Sequence, residues 1–266
     1  MTVPARSSSP PTGKYAALDT IVRQGFVPIF VRDNLDSRLL VEAAVRGGCR
    51  AIEYTCRRSD AATMIPWIKR EFPDVVVMAA TLVDGTRMQR FLKQHRDAFI
   101  TVDEAVDLGA DALVSFMRFR SETYEKYGEQ CVMIPGVATQ SEALDQLELG
   151  ADLIKTIVSS TAGSELVAIA PPVTHHSIPF FVSGGVKADN LENYVKAGVV
   201  VTTAGFDVLL AGTDSSDLVD SGRRAIETMI TTMQAARAKH QPHFHAAVQA
   251  GTPNPLSAGT WFTSQP

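Results

Sequence analysis

The sequence predicts an α/β protein built as one (β/α)8 barrel. Short runs rich in β-branched residues alternate with longer amphipathic stretches, which is typical of parallel strands joined by helices. The strand runs are almost continuously apolar, so both faces of each strand are expected to be buried. Four helical stretches end in glycine directly before a strand, at Gly48, Gly109, Gly150 and Gly198. Glycine at that position caps the helix and turns the chain back into the sheet.

Eight runs qualify as strands, and helical patterns lie between them. The strand runs are residues 27–31, 51–55, 75–81, 112–116, 132–135, 153–157, 179–183 and 199–203. The helical patterns cover residues 36–46, 61–71, 103–108, 141–149 and 190–196, and a longer helix is expected from residue 218 to about residue 238.

The remaining segments set the expected domain limits. Residues 84–100 are predicted to form a surface insertion in the third βα unit, with a helix-like stretch at 88–96 and a competing strand run at 98–101. The barrel domain is expected to span residues 16–238, between a flexible, disordered N-terminal tail at 1–15 and an extended C-terminal tail at 239–266.

The composition is that of an ordinary globular protein, with 45% hydrophobic and 20% charged residues in a chain of 266. A net charge of -4 and a pI near 5.9 argue against a nucleic-acid-binding surface. No apolar stretch approaches the length of a membrane span, so no membrane partner is expected. The Ser- and Pro-rich N-terminus lacks the apolar core of a secretory signal.

Cysteine and histidine usage favours a reducing compartment and a cytoplasmic location. Cys49, Cys56 and Cys131 are scattered without a CxxC pair, and Cys56 is interpreted as a buried structural thiol. The spacing of His240, His243 and His245 matches no zinc-ligand set. We therefore expect no metal.

Lys155 is the most informative residue of the chain. It is the one charged side chain within the apolar run of residues 153–158. Such a lysine either reaches solvent, pairs with a carboxylate or acts as a nucleophile. Burial disfavours the charged form of lysine, and a neutral amine can attack a carbonyl to form a Schiff base.

Other polar residues are expected at the same mouth of the barrel, where the strands end. Alternation places Glu53, Thr55 and Arg57 on one side of the second strand. Glu53 could pair with Arg57 or Lys155 for structural reasons alone. A buried ion cluster rarely adds stability, however, so a functional site explains the set better. In that site Lys155 would form an iminium with a 2-oxo acid, Glu53 would shuttle protons, and Arg57 and Thr81 would hold a carboxylate.

Residues 25–210 resemble the family of 2-keto-3-deoxy-6-phosphogluconate and 4-hydroxy-2-oxoglutarate aldolases. The stretch RGGCRAIEYTCR at residues 46–57 is similar to that family's G-G-x-x-x-x-E-x-T-x-R, and IPGVAT at 134–139 to its I-P-G-x-x-T. AAT at 79–81 takes the place of G-x-G-T, and SGGV at 183–186 that of its T-G-G-I/V phosphate loop.

The resemblance implies a metal-free class I lyase on a (β/α)8 barrel, without a cofactor and usually trimeric. It implies that Lys155 is the Schiff-base lysine and Glu53 the general acid/base, acting on a small-molecule 4-hydroxy-2-oxo acid of carbohydrate metabolism to release pyruvate and an aldehyde. The substrate-binding residues it implies are Arg57, Thr81, Pro135, Gly136, Ser183, Gly184, Gly185, Gly205 and Phe206.

The chain departs from the family pattern around the second half of the substrate. Thr156, Ile157 and Val158 replace an aromatic pair and proline after the lysine. Phe116 replaces proline at the end of the fourth strand, and Phe206 replaces serine after Gly205. The identity of the aldehyde, and whether it carries a phosphate, therefore stay open.

Two other functions and one assembly hypothesis also stay open. The same barrel could be a phosphosugar isomerase or epimerase with Glu53 as base, or a non-catalytic metabolite-binding protein. A homotrimer is expected from the resemblance, with Trp261 and Phe262 as apolar anchors of a C-terminal segment that packs on a neighbouring subunit.

Overall fold

Eight parallel strands form one nearly closed barrel, as predicted. The computed structural model describes residues 13–211, 217–252 and 255–256. The strands are β1 (Phe26–Phe30), β2 (Ala51–Thr55), β3 (Val76–Ala80), β4 (Ala112–Val114), β5 (Val132–Ile134), β6 (Ile154–Ile157), β7 (Phe180–Ser183) and β8 (Val201–Gly205). They are ordered β5-β4-β3-β2-β1-β8-β7-β6. A parallel bridge between Gly136 and Lys155 joins the ends of β5 and β6 and closes the circle.

Helices connect the strands and cover the outside of the barrel. They are α1 (Lys14–Gln24), α2 (Ser37–Arg46), α3 (Ala61–Glu71), α4 (Thr86–His95), α5 (Val102–Asp107), α6 (Ser121–Tyr127), α7 (Gln140–Glu148), α8 (Thr161–Val173), α9 (Leu191–Lys196), α10 (Phe206–Leu209), α11 (Leu218–His240) and α12 (Pro242–Gln249). Within the described part of the chain, no helix combines the length and the apolar character that a membrane crossing needs.

Alternate residues of each strand serve two separate apolar cores. One set, including Phe30, Ile52 and Val77, packs outward against the helices. The other set, including Val27, Met78 and Phe181, fills the barrel interior. Burial on both faces explains why the strands read as continuous apolar runs.

The ends of the barrel domain differ from the prediction. Helix α1 begins at Lys14, inside the predicted flexible tail, and α12 occupies residues that were predicted to be extended. Both helices belong to the folded barrel domain, because Ile21 of α1 and Phe244 of α12 are part of the interior core. Gln24 also accepts from the backbone N–H of Arg50 and Ala51 at the start of β2, so α1 lies across the N-terminal end of the barrel. The proposed anchors Trp261 and Phe262 lie outside the described residues.

The predicted insertion is confirmed as a helical excursion between β3 and β4. None of the side chains of α4 is buried, and residues 98–101 form no strand. Thr101 instead caps α5, accepting from the N–H of Glu104 while the Glu104 carboxylate accepts from the N–H of Thr101. This capping box accounts for the failure of the competing strand prediction.

Arg237 of α11 fastens the C-terminal helices to the N-terminal end of the barrel. Its side chain is fully buried and donates to the carbonyls of Val22 (2.7 Å), Arg23 (3.1 Å) and Val200 (2.5 Å). Gly25 makes room for it, since a Cβ there would lie 2.6 Å from the guanidinium carbon. Burying a cation costs free energy unless its N–H groups find acceptors, and the three carbonyls provide them for Arg237.

We predict that Arg237→Met lowers the free energy of unfolding by about 3 kcal/mol or more, because the buried carbonyls of Val22 and Val200 lose this donor. Urea denaturation measures the change. Arg224→Met, on the exposed face of the same helix, is the matched control and should have little effect. Equal stability of the Arg237 variant and the parent protein would contradict this role.

Candidate active site

Lys155 crosses the barrel interior to reach the strand opposite its own. Strands β6 and β2 stand four places apart in either direction around the circle of eight. Lys155 Nζ donates to Glu53 Oε1 at 2.6 Å, and the two side chains are 0% and 1% exposed. The structure therefore brings together the two residues predicted to be catalytic. The same contact is the Glu53–Lys155 ion pair that the sequence allowed as a purely structural feature.

The surroundings of Lys155 act on its charge in opposite directions. Burial lowers the pKa of Lys155, and the Glu53 carboxylate partly opposes that shift. Two aromatic rings favour the cation, since Nζ lies 4.7 Å from the ring centre of Phe116 and 5.2 Å from that of Phe181. Glu53 Oε2 is buried without a hydrogen-bond partner among the described residues. This second oxygen is free to exchange a proton with a bound molecule.

A cavity of about 1010 Å³ opens beside Lys155 at the ends of β4, β5 and β6. Phe116, Val137 and Ile157 give it apolar walls, and the exposed side chains of Arg118 and Arg120 also line it. Its volume suits a small-molecule substrate. Phe116 and Ile157, two departures from the family pattern, thus lie where they contact whatever enters.

Pro135 and Gly136 hold Lys155 in register rather than offering side chains to a ligand. The Lys155 N–H donates to the Pro135 carbonyl at 2.8 Å. Gly136 packs against the backbone at the end of β4, where a Cβ would lie 2.4 Å from the carbonyl carbon of Phe116. Only glycine fits this approach, which explains its place in the motif.

Arg57 and Thr81 line a second cavity of about 530 Å³, at the ends of β2 and β3. The two cavities share no lining residue among those described. Thr81 has a φ of 64°, a conformation that costs a β-branched residue about 1–3 kcal/mol. Its Oγ1 is buried without a hydrogen-bond partner among the described residues. Strain and an unsatisfied hydroxyl together mark this position as a binding-site candidate.

Arg58, which sequence reasoning missed, fixes the loop that carries Arg57. Its guanidinium is buried and donates from Nε to Asp60 Oδ1 at 3.0 Å, and Tyr54 donates to the same oxygen at 2.7 Å. Burial opposes ionisation of Asp60, but hydrogen bonds from Arg58, Ser37 and Tyr54 outweigh it and hold the pKa at about 2. An arginine pair followed two residues later by aspartate was the available signal.

The predicted anion loop is present, but no helix starts there. Gly184 and Gly185 have φ values of 91° and 75°, and no described group accepts from their N–H groups. Helix α9 begins only at Leu191, so the loop does not lead directly into a helix N-terminus. Ser183 is buried, and Ser159 lies over Gly184, where a Cβ would be 2.5 Å from Ser159 Oγ.

Phe206, which the resemblance implies as a substrate-binding residue, has its side chain buried in the core. Its ring is buried in the outer core, 5.2 Å from that of Phe30 in an edge-on arrangement. Gly205 ends β8 and precedes the single-turn helix α10, so backbone rather than side chain faces the mouth here. Phe206 packs into the core because α10, which begins at this residue, turns its side chain away from the opening.

The chain is similar in sequence to known aldolases. A family model described as "Aldolase: KDPG and KHG aldolase" matches residues 19–221. A 2-dehydro-3-deoxy-phosphogluconate aldolase from Zymomonas mobilis is 23% identical over 197 residues, covering 73% of this chain and 88% of the relative. A 2-dehydro-3-deoxy-6-phosphogalactonate aldolase from Escherichia coli is 28% identical over 173 residues, covering 65% and 78%.

Solved structures agree on the fold. The crystal structure of a 4-hydroxy-2-oxoglutarate/2-dehydro-3-deoxyphosphogluconate aldolase from TTHB1 superposes with a TM-score of 0.63 at 19% identity, covering 82% of this chain and 98% of that one. The relatives are carbon–carbon lyases, and the family model covers most of the barrel. The chain therefore belongs to the KDPG and KHG aldolase family and is an aldolase.

Proposed function

We propose that this aldolase cleaves a 4-hydroxy-2-oxo acid to pyruvate and an aldehyde through a Schiff base on Lys155. The observation that supports this most strongly is the fully buried Lys155 with Glu53 2.6 Å away at the mouth of the barrel. Burial lowers the pKa of the amine, and the neighbouring carboxylate can accept its proton.

The proposed reaction begins with transfer of a proton from Lys155 to Glu53. The neutral amine attacks the C2 carbonyl carbon, and the carbinolamine loses water with a proton supplied by Glu53. The resulting iminium accepts the electron pair of the C3–C4 bond as that bond breaks. Glu53 takes the proton of the C4 hydroxyl, and the aldehyde leaves. Protonation of the enamine at C3 and hydrolysis release pyruvate and regenerate Lys155.

The cavity beside Lys155 is the proposed place for the aldehyde half. Its walls of Phe116, Val137 and Ile157 are apolar, while the N–H groups of Gly184 and Gly185 remain available to an anion. A phosphorylated substrate would use the N–H groups of Gly184 and Gly185, whereas an unphosphorylated substrate would rely on the apolar walls. A panel of 4-hydroxy-2-oxo acids in a coupled assay for pyruvate release separates these substrates.

We expect borohydride in the presence of pyruvate to trap a covalent adduct on Lys155. Peptide mapping by mass spectrometry locates it, and Lys155→Met should abolish it. No mass shift, or a shift on another lysine, would contradict the proposal. Turnover of a sugar phosphate that resists trapping would indicate an isomerase or epimerase instead. Binding of 2-oxo acids without carbon–carbon cleavage would indicate a metabolite-binding barrel.

Glu53→Gln should slow turnover by ~10²–10⁴ because the proton shuttle is lost. The same change removes the charge that opposes the lowering of the Lys155 pKa. The fraction of neutral amine rises with pH through that pKa, so the rising limb of the trapping rate should move to lower pH. A limb that stays in place or moves upward would contradict the assignment. Circular dichroism of both proteins controls for folding.

We also propose that the enzyme is a cytoplasmic homotrimer. Buried free cysteines suit a reducing compartment. Leu144 on α7, Leu149 just after it, and Ile169 and Val173 on α8 are exposed apolar side chains that a subunit interface would cover. Sedimentation of the full chain should give three times the mass of 28.7 kDa. A monomer at micromolar concentration would contradict the trimer.

A further inference from the structure

Two neighbouring threonines of β8, Thr202 and Thr203, are fully buried, and neither hydroxyl has a hydrogen-bond partner among the described residues. The two side chains face opposite ways. Thr202 pairs with Phe26 of the outer core, whereas Thr203 pairs with Val27 of the interior core. Paired residues of adjacent strands lie on the same face of a sheet, so the side chain of Thr203 lies inside the barrel.

Thr203 stands at the height of the contact between Lys155 and Glu53. The hydrogen-bonded row that runs from Lys155 through β7 reaches Val201 of β8. The row that runs from Glu53 through β1 reaches Gly205 of the same strand. Because all strands tilt in the same sense, one row climbs toward β8 and the other descends toward it by an equal amount. Since Lys155 and Glu53 touch, the residue midway between the two row ends, Thr203, is level with them.

These residues belong to one layer of the barrel interior, to which every second strand contributes a side chain. Glu53 comes from β2, Lys155 from β6 and Thr203 from β8. The rows on the opposite side of the barrel place Val114 of β4 in the fourth position. The ion pair therefore has an apolar side chain on one flank and a hydroxyl on the other.

Packing alone does not account for a threonine at position 203. A buried hydroxyl without a partner costs free energy, and valine would fill nearly the same space without that cost. Val114 shows that the layer accepts valine. The group of the layer that can use a donor is Glu53, because its Oε2 is buried and also has no partner among the described residues. A threonine hydroxyl can supply one hydrogen bond to a carboxylate oxygen.

The proposed reaction creates a need for such a donor. Once Lys155 Nζ is bonded to C2 of the substrate, it no longer holds Glu53 as an ammonium group, although Glu53 must still take the proton of the C4 hydroxyl. We propose that Thr203 is a positioning residue that donates its hydroxyl to Glu53 when Lys155 is bonded to the substrate. This inference rests on the proposed function for the step at which Thr203 acts, whereas the hydrogen bond itself can be tested without substrate.

The first test uses Lys155→Met, which removes the contact to Glu53 without any substrate. Adding Thr203→Val to that protein should lower the urea midpoint by ~0.5–1 M, because a buried carboxyl group loses its remaining proposed donor. The same change in the parent protein should have little effect, since Lys155 still donates to Glu53. Thr202→Val removes an equally buried hydroxyl from the other face of β8 and should act alike in both backgrounds. Equal effects of Thr203→Val in the two backgrounds would overturn the inference.

The second test measures turnover in the coupled assay for pyruvate release. Thr203→Val should lower kcat ~10-fold and leave KM nearly unchanged, because the lost hydrogen bond orients Glu53 and not the substrate. Thr203→Ser keeps the hydroxyl and should restore kcat, and Thr202→Val should leave both constants as they are. A rise in KM alone, or no recovery with serine, would contradict the positioning role.

The two tests separate this inference from the proposed function. Borohydride trapping of pyruvate on Lys155 should persist in Thr203→Val, since the nucleophile is intact. If the parent protein is not trapped but the urea midpoints depend on the background as expected, the hydrogen bond stands and the Schiff base falls. If trapping succeeds and the midpoints do not depend on the background, the Schiff base stands and the role of Thr203 falls.

Discussion

The contact between Lys155 and Glu53 is the constraint around which the barrel is organised. It places two opposite charges inside an otherwise apolar interior and joins strands on opposite sides of the circle. Burying such a pair costs more in desolvation than the attraction returns unless the geometry is excellent. The remaining oxygen of Glu53 is not even satisfied. A pair of this kind is poor as a stabilising device and well suited to moving a proton.

The rest of the molecule compensates for this polar centre. Below it, the interior is filled with apolar side chains and closed by α1 and α12, and Arg237 fastens the C-terminal helices to the strand starts. Above it, glycine at position 136 brings β4 and β5 together and keeps Lys155 in register. The upper half carries backbone strain at Thr81 and unpartnered polar atoms on Thr81 and Glu53.

The strands, and Lys155 and Glu53 as candidate site residues, could be predicted from sequence because they follow from local patterns, whereas the contact between the two residues was left open beside a pairing of Glu53 with Arg57. Runs of branched apolar residues bounded by glycine predict strands such as β2 and β6. Glu53 and Lys155 stand out because each is a charged residue within such a run. Helices α1 and α12 could not be predicted in the same way. Their apolar side chains are buried only because they pack against the end of the closed barrel, and that contact is not encoded in a local pattern. The position of the Phe206 side chain could not be predicted for a similar reason. The residue follows β8 as expected, but its contact with Phe30 decides where the ring lies. Arg58 beside Arg57 differs only in which side of the loop it faces, and that depends on Asp60 and Tyr54.

The proposed reaction brings the C2 carbonyl of the 2-oxo acid to the amine of Lys155, which is buried against Glu53. The crystal structure of the protein soaked with pyruvate tests this account most directly. We expect continuous electron density from Lys155 Nζ to C2 of pyruvate, with the carboxylate directed toward Arg57 and Thr81. Pyruvate bound elsewhere, or an undisturbed contact between Lys155 and Glu53 in the soaked crystal, would contradict it.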